Sequence, residues 1–334
     1  MKSIFPVSYS TLDPDALGLF IAAAYGLNRC DCSLLLRGVS DTYLIRTDGD
    51  KFIFRVYRAG FRTVTDVQTE TRLLHTLHKQ RVSVSHPIKN LDGSYINGIN
   101  AAEGERLGVL FTFAHGRSYQ QLNDSQLTSL GVEMARFHNV SSIFEISRDA
   151  RHINTTTTLF DPIRKVEPYF KTDPESYAWL KQSAEEVANR ISKTDTSAFS
   201  SGYCQFDFLP KNFHFDESDK VTLFDFDFLG YGWLVNDIMS FWIHLNLDVF
   251  FNRITPEAGK QNFETFVSAY RTQRVVTEDE LGLIPWLSLG FWVFYMGFHV
   301  THDQFYGMVK EPGQLKLRMG LIRKFTEANW NLVR

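Results

Sequence analysis

The sequence has only three cysteines, Cys30, Cys32 and Cys204, among its 334 residues. That is too few for a disulfide framework. Cys30-Asp31-Cys32 has neither a zinc spacing nor a second cysteine pair to complete a site. The expectation is reduced thiols in a cytoplasmic protein. No Lys/Arg block is present, and 35 basic against 38 acidic residues leave a formal net charge of -3, so nucleic acid is not an expected partner. The first residues, Met1 to Pro6, lack the apolar run of a secretory leader. Internal repeats, low-complexity tracts and long linkers are also missing. One stretch, Leu281 to Thr301, has no Asp, Glu, Lys or Arg and is long enough to span a bilayer. Pro285, Ser288, Gly290 and Gly297 interrupt it, and the nearest basic residues, Arg274 and Lys310, lie well outside. A buried helix is expected there, with no membrane association.

What is present is a hydrophobic share of 44% with 22% charged residues, the balance of a folded protein. Aromatic residues are plentiful, with 29 Phe, 13 Tyr and 6 Trp. They are enough to fill a large core and wall a pocket as well.

The first 115 residues read as mixed β structure with helices. Leu34 to Leu36, Thr42 to Ile45 and Phe52 to Tyr57 are strand-like, and Asp48-Gly49 marks a tight hairpin between the last two. Capping-box spacing at Thr65 to Gln68 starts a helix with Val64, Val67, Leu74 and Leu77 on its apolar face. Gly108 to Phe113 is a further strand. From about His115 the pattern turns helical, with Leu127, Leu130, Met134 and Phe137 at helical spacing. Residues about 160 to 195, 237 to 252 and 258 to 272 also read as helices. A short β insert, Phe213 to Phe215 and Val221 to Phe224, lies among them. The fold class is therefore α+β, a β-rich lobe followed by a mainly helical one.

The most informative segment is Gln205-Phe206-Asp207-Phe208-Leu209-Pro210-Lys211-Asn212, followed by Leu223-Phe224-Asp225-Phe226-Asp227. Phosphoryl transfer needs one carboxylate to accept the proton of an attacking hydroxyl. It also needs hard oxygen ligands, an amide and a second carboxylate, for Mg²⁺ on the nucleotide phosphates. An Asp five residues before an Asn, then a hairpin and another Asp, supplies that set. In the first lobe, Arg55 interrupts an apolar strand and Glu70 sits on the apolar face of the next helix. Two such charges are costly unless paired, so an Arg55–Glu70 ion pair is expected.

These motifs resemble the aminoglycoside phosphotransferase, choline kinase and homoserine kinase superfamily, the small-molecule branch of the protein-kinase-like fold. Its catalytic loop usually reads H-G-D-x-x-x-x-N and its metal loop I-D-F-D-x-x-G-Y-G. Gln205 and Phe206 stand here in place of His-Gly, and Phe224 to Gly232 follows the second pattern. The resemblance implies a two-lobed fold, with a nucleotide-binding lobe over residues 1–114 and a helical lobe over 115–334 carrying the catalytic loop and acceptor site. It implies Asp207 as catalytic base, Asn212 and Asp225 as Mg²⁺ ligands, and Asp237 as a brace for the catalytic loop. Arg55, where the family usually has Lys, and Glu70 would clamp the phosphates of ATP or GTP. Gly38 and Ser40 would cover those phosphates, and the backbone of Phe111 and Phe113 would meet adenine. The helix containing Leu130-Gly131 and Phe137-His138 is read as packing only.

Other features have plainer readings. His299, His302 and Asp303 have metal-ligand spacing, yet no second carboxylate cluster accompanies them, so packing or a place in the substrate pocket is preferred. Lys211 either aids the phosphate or faces solvent. Trp233, Phe241, Trp242, Trp286, Phe291, Trp292 and Tyr295 are mostly core, a few lining the acceptor site. The implied activity is transfer of the γ-phosphate to a hydroxyl of a small polar acceptor such as an aminoglycoside, homoserine or a choline-like alcohol. Two alternatives remain: a non-catalytic nucleotide-binding protein on the same fold, and a haloacid-dehalogenase-type phosphatase with Asp225 as nucleophile. The second leaves Asp207 and Asn212 unexplained.

Overall fold

The computed structural model describes residues 5–305 and 307–331. Met1 to Ile4, the start of the segment read for a leader, lie outside the described residues. In chain order the first elements are α1 (Pro14–Tyr25), β1 (Asp31–Arg37), β2 (Asp41–Arg46), β3 (Lys51–Val56), α2 (Val64–Lys79), β4 (Ile96–Ala101) and β5 (Gly104–Thr112). Then follow α3 (Asp124–Ser141), β6 (His152–Ile153), α4 (Asp161–Val166), α5 (Pro174–Ser192), β7 (Ser201–Cys204), β8 (Phe213–Phe215) and β9 (Val221–Leu223). The last are β10 (Gly230–Trp233), α6 (Val235–Phe250), α7 (Pro256–Arg271), α8 (Glu278–His299), α9 (Gly307–Lys310) and α10 (Pro312–Asn331). The fold is α+β, with an antiparallel sheet near the N-terminus and a helical C-terminal part.

Two compact units divide the chain. The first takes residues through Arg117 together with Ser147–Ala150 and Phe213–Asp227; the second takes the rest. The division therefore departs from a single cut between residues 114 and 115. Backbone pairing gives the reason: β8 and β9 form a hairpin whose Leu223 exchanges hydrogen bonds with Ser83 and Ser85, and whose Phe215 pairs with Arg117. Gly116 permits the second pairing. It has φ +94°, and a Cβ there would lie 2.1 Å from the Phe215 carbonyl oxygen.

In the first unit the sheet order is β1-β2-β3-β5-β4, every pair antiparallel. Asp48-Gly49 turns β2 into β3, as the dipeptide predicts. Tyr43, Ile45, Phe54, Val56 and Leu110 pack one face of this sheet against Leu17 and Ile21 of α1. Helix α2 starts two residues before the expected box: Thr63 is its N-cap and Asp66 closes the capping box. Val67, Leu74 and Leu77 are buried as expected, but Val64, in the first turn, is exposed.

The second unit is built around α8. Thr277 and Glu280 cap its start, and Leu283, Trp286, Leu289, Val293 and Met296 enter a core shared with α4, α5 and α10. This is the stretch whose composition would also suit a bilayer; here it is a core helix, with 72% of its most apolar window buried. Gly131 lets α3 approach α7, since a Cβ there would sit 2.4 Å from the Phe266 carbonyl oxygen.

Candidate active site

In the first unit β3 carries Arg55 into a buried charge cluster. Its Nη1 lies 3.0 Å from Asp225 Oδ1, and its Nη2 pairs with Asp227 Oδ2. Ser40 donates to the other Asp227 oxygen at 3.2 Å. Glu70 is 1% exposed, but its ion-pair partner is not the one expected from sequence: Arg62 Nη2 lies 3.1 Å from Glu70 Oε2. Arg55 reaches Glu70 only through its field. Arg62 sits one residue before the α2 cap, outside both apolar patterns, so no periodicity marked it. Its Nη1 also donates to the Asp227 carbonyl at 2.9 Å, tying the helix start to the Asp225–Asp227 loop.

Two guanidinium groups thus face three carboxylates, leaving one negative charge in excess. Burial drives Glu70 and Asp227 toward their neutral forms. Glu70 is pushed up to about 7, the pull of Arg62 and Arg55 offsetting only part of the desolvation. Asp227 is shifted the same way by burial, with Arg55 opposing and Asp225 adding to the shift. Asp225 itself takes φ +62°, a conformation side-chain-bearing residues seldom adopt. Of the remaining sequence candidates, Gly38 donates its N–H to the Ser40 carbonyl in the β1–β2 turn. Phe111 is buried opposite Ile53 in the β3–β5 ladder. Phe113, just beyond β5, lies beneath the Lys51 ammonium.

In the second unit the catalytic-loop candidate, Gln205 to Asn212, leaves β7 and is pinned from below by α6. Asp237, fully buried, accepts the backbone N–H of Gln205 at 2.9 Å and of Phe206 at 2.6 Å. His138 Nε2 lies 3.1 Å from the same carboxylate, and its Nδ1 meets Tyr270 Oη at 2.9 Å. His138 therefore does more than pack. Ser240, one helical turn after Asp237, accepts the N–H of Phe208 at 3.0 Å, a role that no sequence pattern signalled. Pinning by one buried carboxylate brings the functional side chains together: Asn212 Nδ2 donates to the Asp207 carbonyl and to its Oδ2, both at 2.8 Å. Lys211 Nζ lies 2.8 Å from the same Oδ2, so it neither faces solvent alone nor stands apart from the candidate base.

The Phe206 departure has a local cost. The residue takes φ +62°, where the related motif has Gly. Its ring in return packs edge-on to Phe294, 5.1 Å between centroids, and against Phe291 at 5.8 Å, both on α8.

The donors expected for a divalent metal suit one chemically. Asn212 spends its amide nitrogen on Asp207, leaving an amide oxygen, and Asp225 offers a carboxylate 35% exposed. Both are hard oxygen ligands of the kind Mg²⁺ takes. His299 and His302 do not form such a site: among the described residues no three His, Cys, Asp or Glu gather as for a metal. His299 instead lines a cavity of about 470 Å³ together with Leu209 of the catalytic loop and Phe291, Trp292 and Tyr295. Trp286 is a core residue stacked on Trp330, and Trp233, partly buried, packs edge-on to Phe199.

Comparison with known proteins decides the family. A family model described as "Phosphotransferase enzyme family" matches residues 31–274. The chain belongs to this family. An amicoumacin kinase of Bacillus subtilis is 24% identical over 84% of this chain and 84% of its own length. A solved structure of amicoumacin kinase hAmiN, in complex with AMP-PNP, Ca²⁺ and Ami, superposes with TM-score 0.74 at 18% identity, covering 95% of this chain and 94% of that one. A microcompartment-associated aminopropanol kinase gives TM-score 0.74 at 17% identity, covering 95% and 98%. These likenesses establish the protein-kinase-like fold.

Proposed function

We propose that this family member transfers the γ-phosphoryl group of ATP, or of GTP, to a hydroxyl of a small polar acceptor in the cytoplasm. Aminoglycosides, homoserine and choline-like alcohols are the acceptor classes that the motif resemblance suggests. The supporting observation is the loop built on Asp237, which presents Asp207 and Asn212 side by side with Lys211 on the same carboxylate.

In this reading Asp207 orients the acceptor hydroxyl and takes its proton as the oxygen attacks the γ-phosphorus. The bond from that phosphorus to the β–γ bridging oxygen breaks, and the nucleoside diphosphate leaves with the electron pair. Asn212 and Asp225 would hold Mg²⁺, which neutralises phosphate charge when bound. Arg55 is a guanidinium where Lys is usual in the family, and it spends both Nη atoms on Asp225 and Asp227. Nucleotide phosphates would take over part of that pairing.

The test is γ-phosphoryl transfer from labelled ATP to a panel of alcohols by wild type and Asp207→Asn. Transfer by wild type with loss in the variant supports the reading. Equal transfer by both removes Asp207 from the role of base.

A further inference from the structure

The cavity beside the catalytic loop carries one feature that the motifs do not explain. Arg318 of α10 reaches into it, and its Nη1 donates to His299 Nδ1 at 2.6 Å. Among the described residues no carboxylate pairs with this guanidinium, and no Asp or Glu lines the cavity. Desolvation lowers Arg318 to about 10, with only Tyr295 opposing. His299 is depressed to about 3 by burial and by Arg318, so at neutral pH it accepts the Arg318 hydrogen bond without adding charge. One half-buried cation with no counter-ion is an expensive arrangement unless a ligand supplies the charge.

The rest of the wall is mainly apolar, with Leu209, Ile243, Leu247, Phe291, Leu317 and Leu321, and Gln314 and Tyr295 add uncharged polar groups. Leu209 lies two residues from Asp207, and Lys211, paired with Asp207, has its Nζ 5.7 Å from the Tyr295 ring. A ligand in this cavity therefore has its end beside the candidate base. At about 470 Å³ the space lies within the range of drug-sized sites and is far larger than a three- or four-carbon amino alcohol requires.

We infer that the acceptor is an alcohol with an apolar body and a single carboxylate, and that the carboxylate pairs with Arg318. The planar guanidinium matches a carboxylate in shape, and one positive charge balances a monoanion rather than a phosphate dianion. A polycationic acceptor would find no acidic residue in this wall. The inference rests on the phosphotransferase reading for the hydroxyl's fate, but the binding of the acid does not depend on it.

The experiment measures thermal midpoints of the full chain without nucleotide, titrated with ω-hydroxydecanoate and para-hydroxymethylbenzoate. Each acid is compared with its neutral primary amide, and aminopropanol serves as the cationic control. Wild type should bind at least one acid about tenfold or more tightly than its amide, the usual worth of a charged hydrogen bond. Arg318→Gln should erase that preference, and Arg318→Lys should keep part of it, which separates charge recognition from misfolding. Equal binding of acid and amide by wild type overturns the inference. So does an acid preference that survives in Arg318→Gln, or a midpoint that neither acid moves. Mg²⁺ with ATP, titrated in parallel, reads the kinase assignment on its own. Acid preference without a nucleotide shift would leave the pocket standing and remove the proposed reaction.

Discussion

Asp225 and Asp207 are both carboxylates expected to act on phosphoryl chemistry, yet the chain holds them by different means. Asp225 lies in a network of charges: Arg55 grips it and Asp227, while Arg62 grips Glu70 and the backbone of Asp227. Asp207 lies on a loop fixed through its backbone by Asp237 and Ser240 of α6, with Asn212 closing the turn. The first arrangement is held by partners that a ligand's phosphates and metal can replace. The second is held by N–H groups that no ligand can displace. On the proposed roles, the carboxylate that would meet a metal sits in the exchangeable network, and the one that would orient a proton transfer sits on the fixed loop.

The predictions test that contrast in order of expected effect. Asp207→Asn should lower transfer by at least about a thousandfold while leaving nucleotide-dependent thermal stabilisation unchanged. Asp237→Ala should unpin the loop by leaving two buried N–H groups and His138 without their acceptor. Urea unfolding should show about 3–5 kcal/mol lost. Stability near that of wild type would break the comparison, because the loop would then not depend on its buried brace. Phe206→Gly relieves a left-handed residue, a gain of about 1–2 kcal/mol, but deletes a buried ring worth about 3–5 kcal/mol. A net loss of about 2 kcal/mol is expected, and a gain would mean that the strain dominates.

The charge network should show itself in the pH dependence of stability. Folded Glu70 keeps its proton up to about pH 7, above the ordinary value of 4.5, so the unfolded chain releases its proton first. The contribution of Glu70 to stability should therefore be fully present below about pH 4.5 and be lost as pH rises to about 7. Glu70→Gln removes the excess negative charge and should flatten the profile over that range, measured by thermal unfolding against pH.

The parts legible in the sequence were those with strong local grammar. Asp48-Gly49 specified its hairpin, and the Asp207-to-Asn212 spacing marked the loop. Apolar periodicity gave α3 and the buried face of α2. The missed parts depend on contacts distant in the chain. Glu70 had to be buried beside a cation, but nothing local distinguished Arg62 from Arg55 as its partner. Helix α1 and the pairing of β6, β7 and β10 were not assigned, since two- to four-residue strands carry too little pattern. Ser240 and Arg318 gain their roles only when α6 and α10 fold beside the residues they serve. The Phe206 substitution was visible as a departure, but its left-handed backbone and its packing on α8 were not.

The proposed function requires a nucleotide bound through a divalent metal held in part by Asp225. Thermal-shift titration of wild type and Asp225→Ala with ATP, with and without Mg²⁺, tests it most directly. The expected result is a rise in midpoint that requires Mg²⁺ in wild type and is absent in Asp225→Ala. No shift in wild type, or an equal Mg²⁺-dependent shift in both proteins, would contradict it.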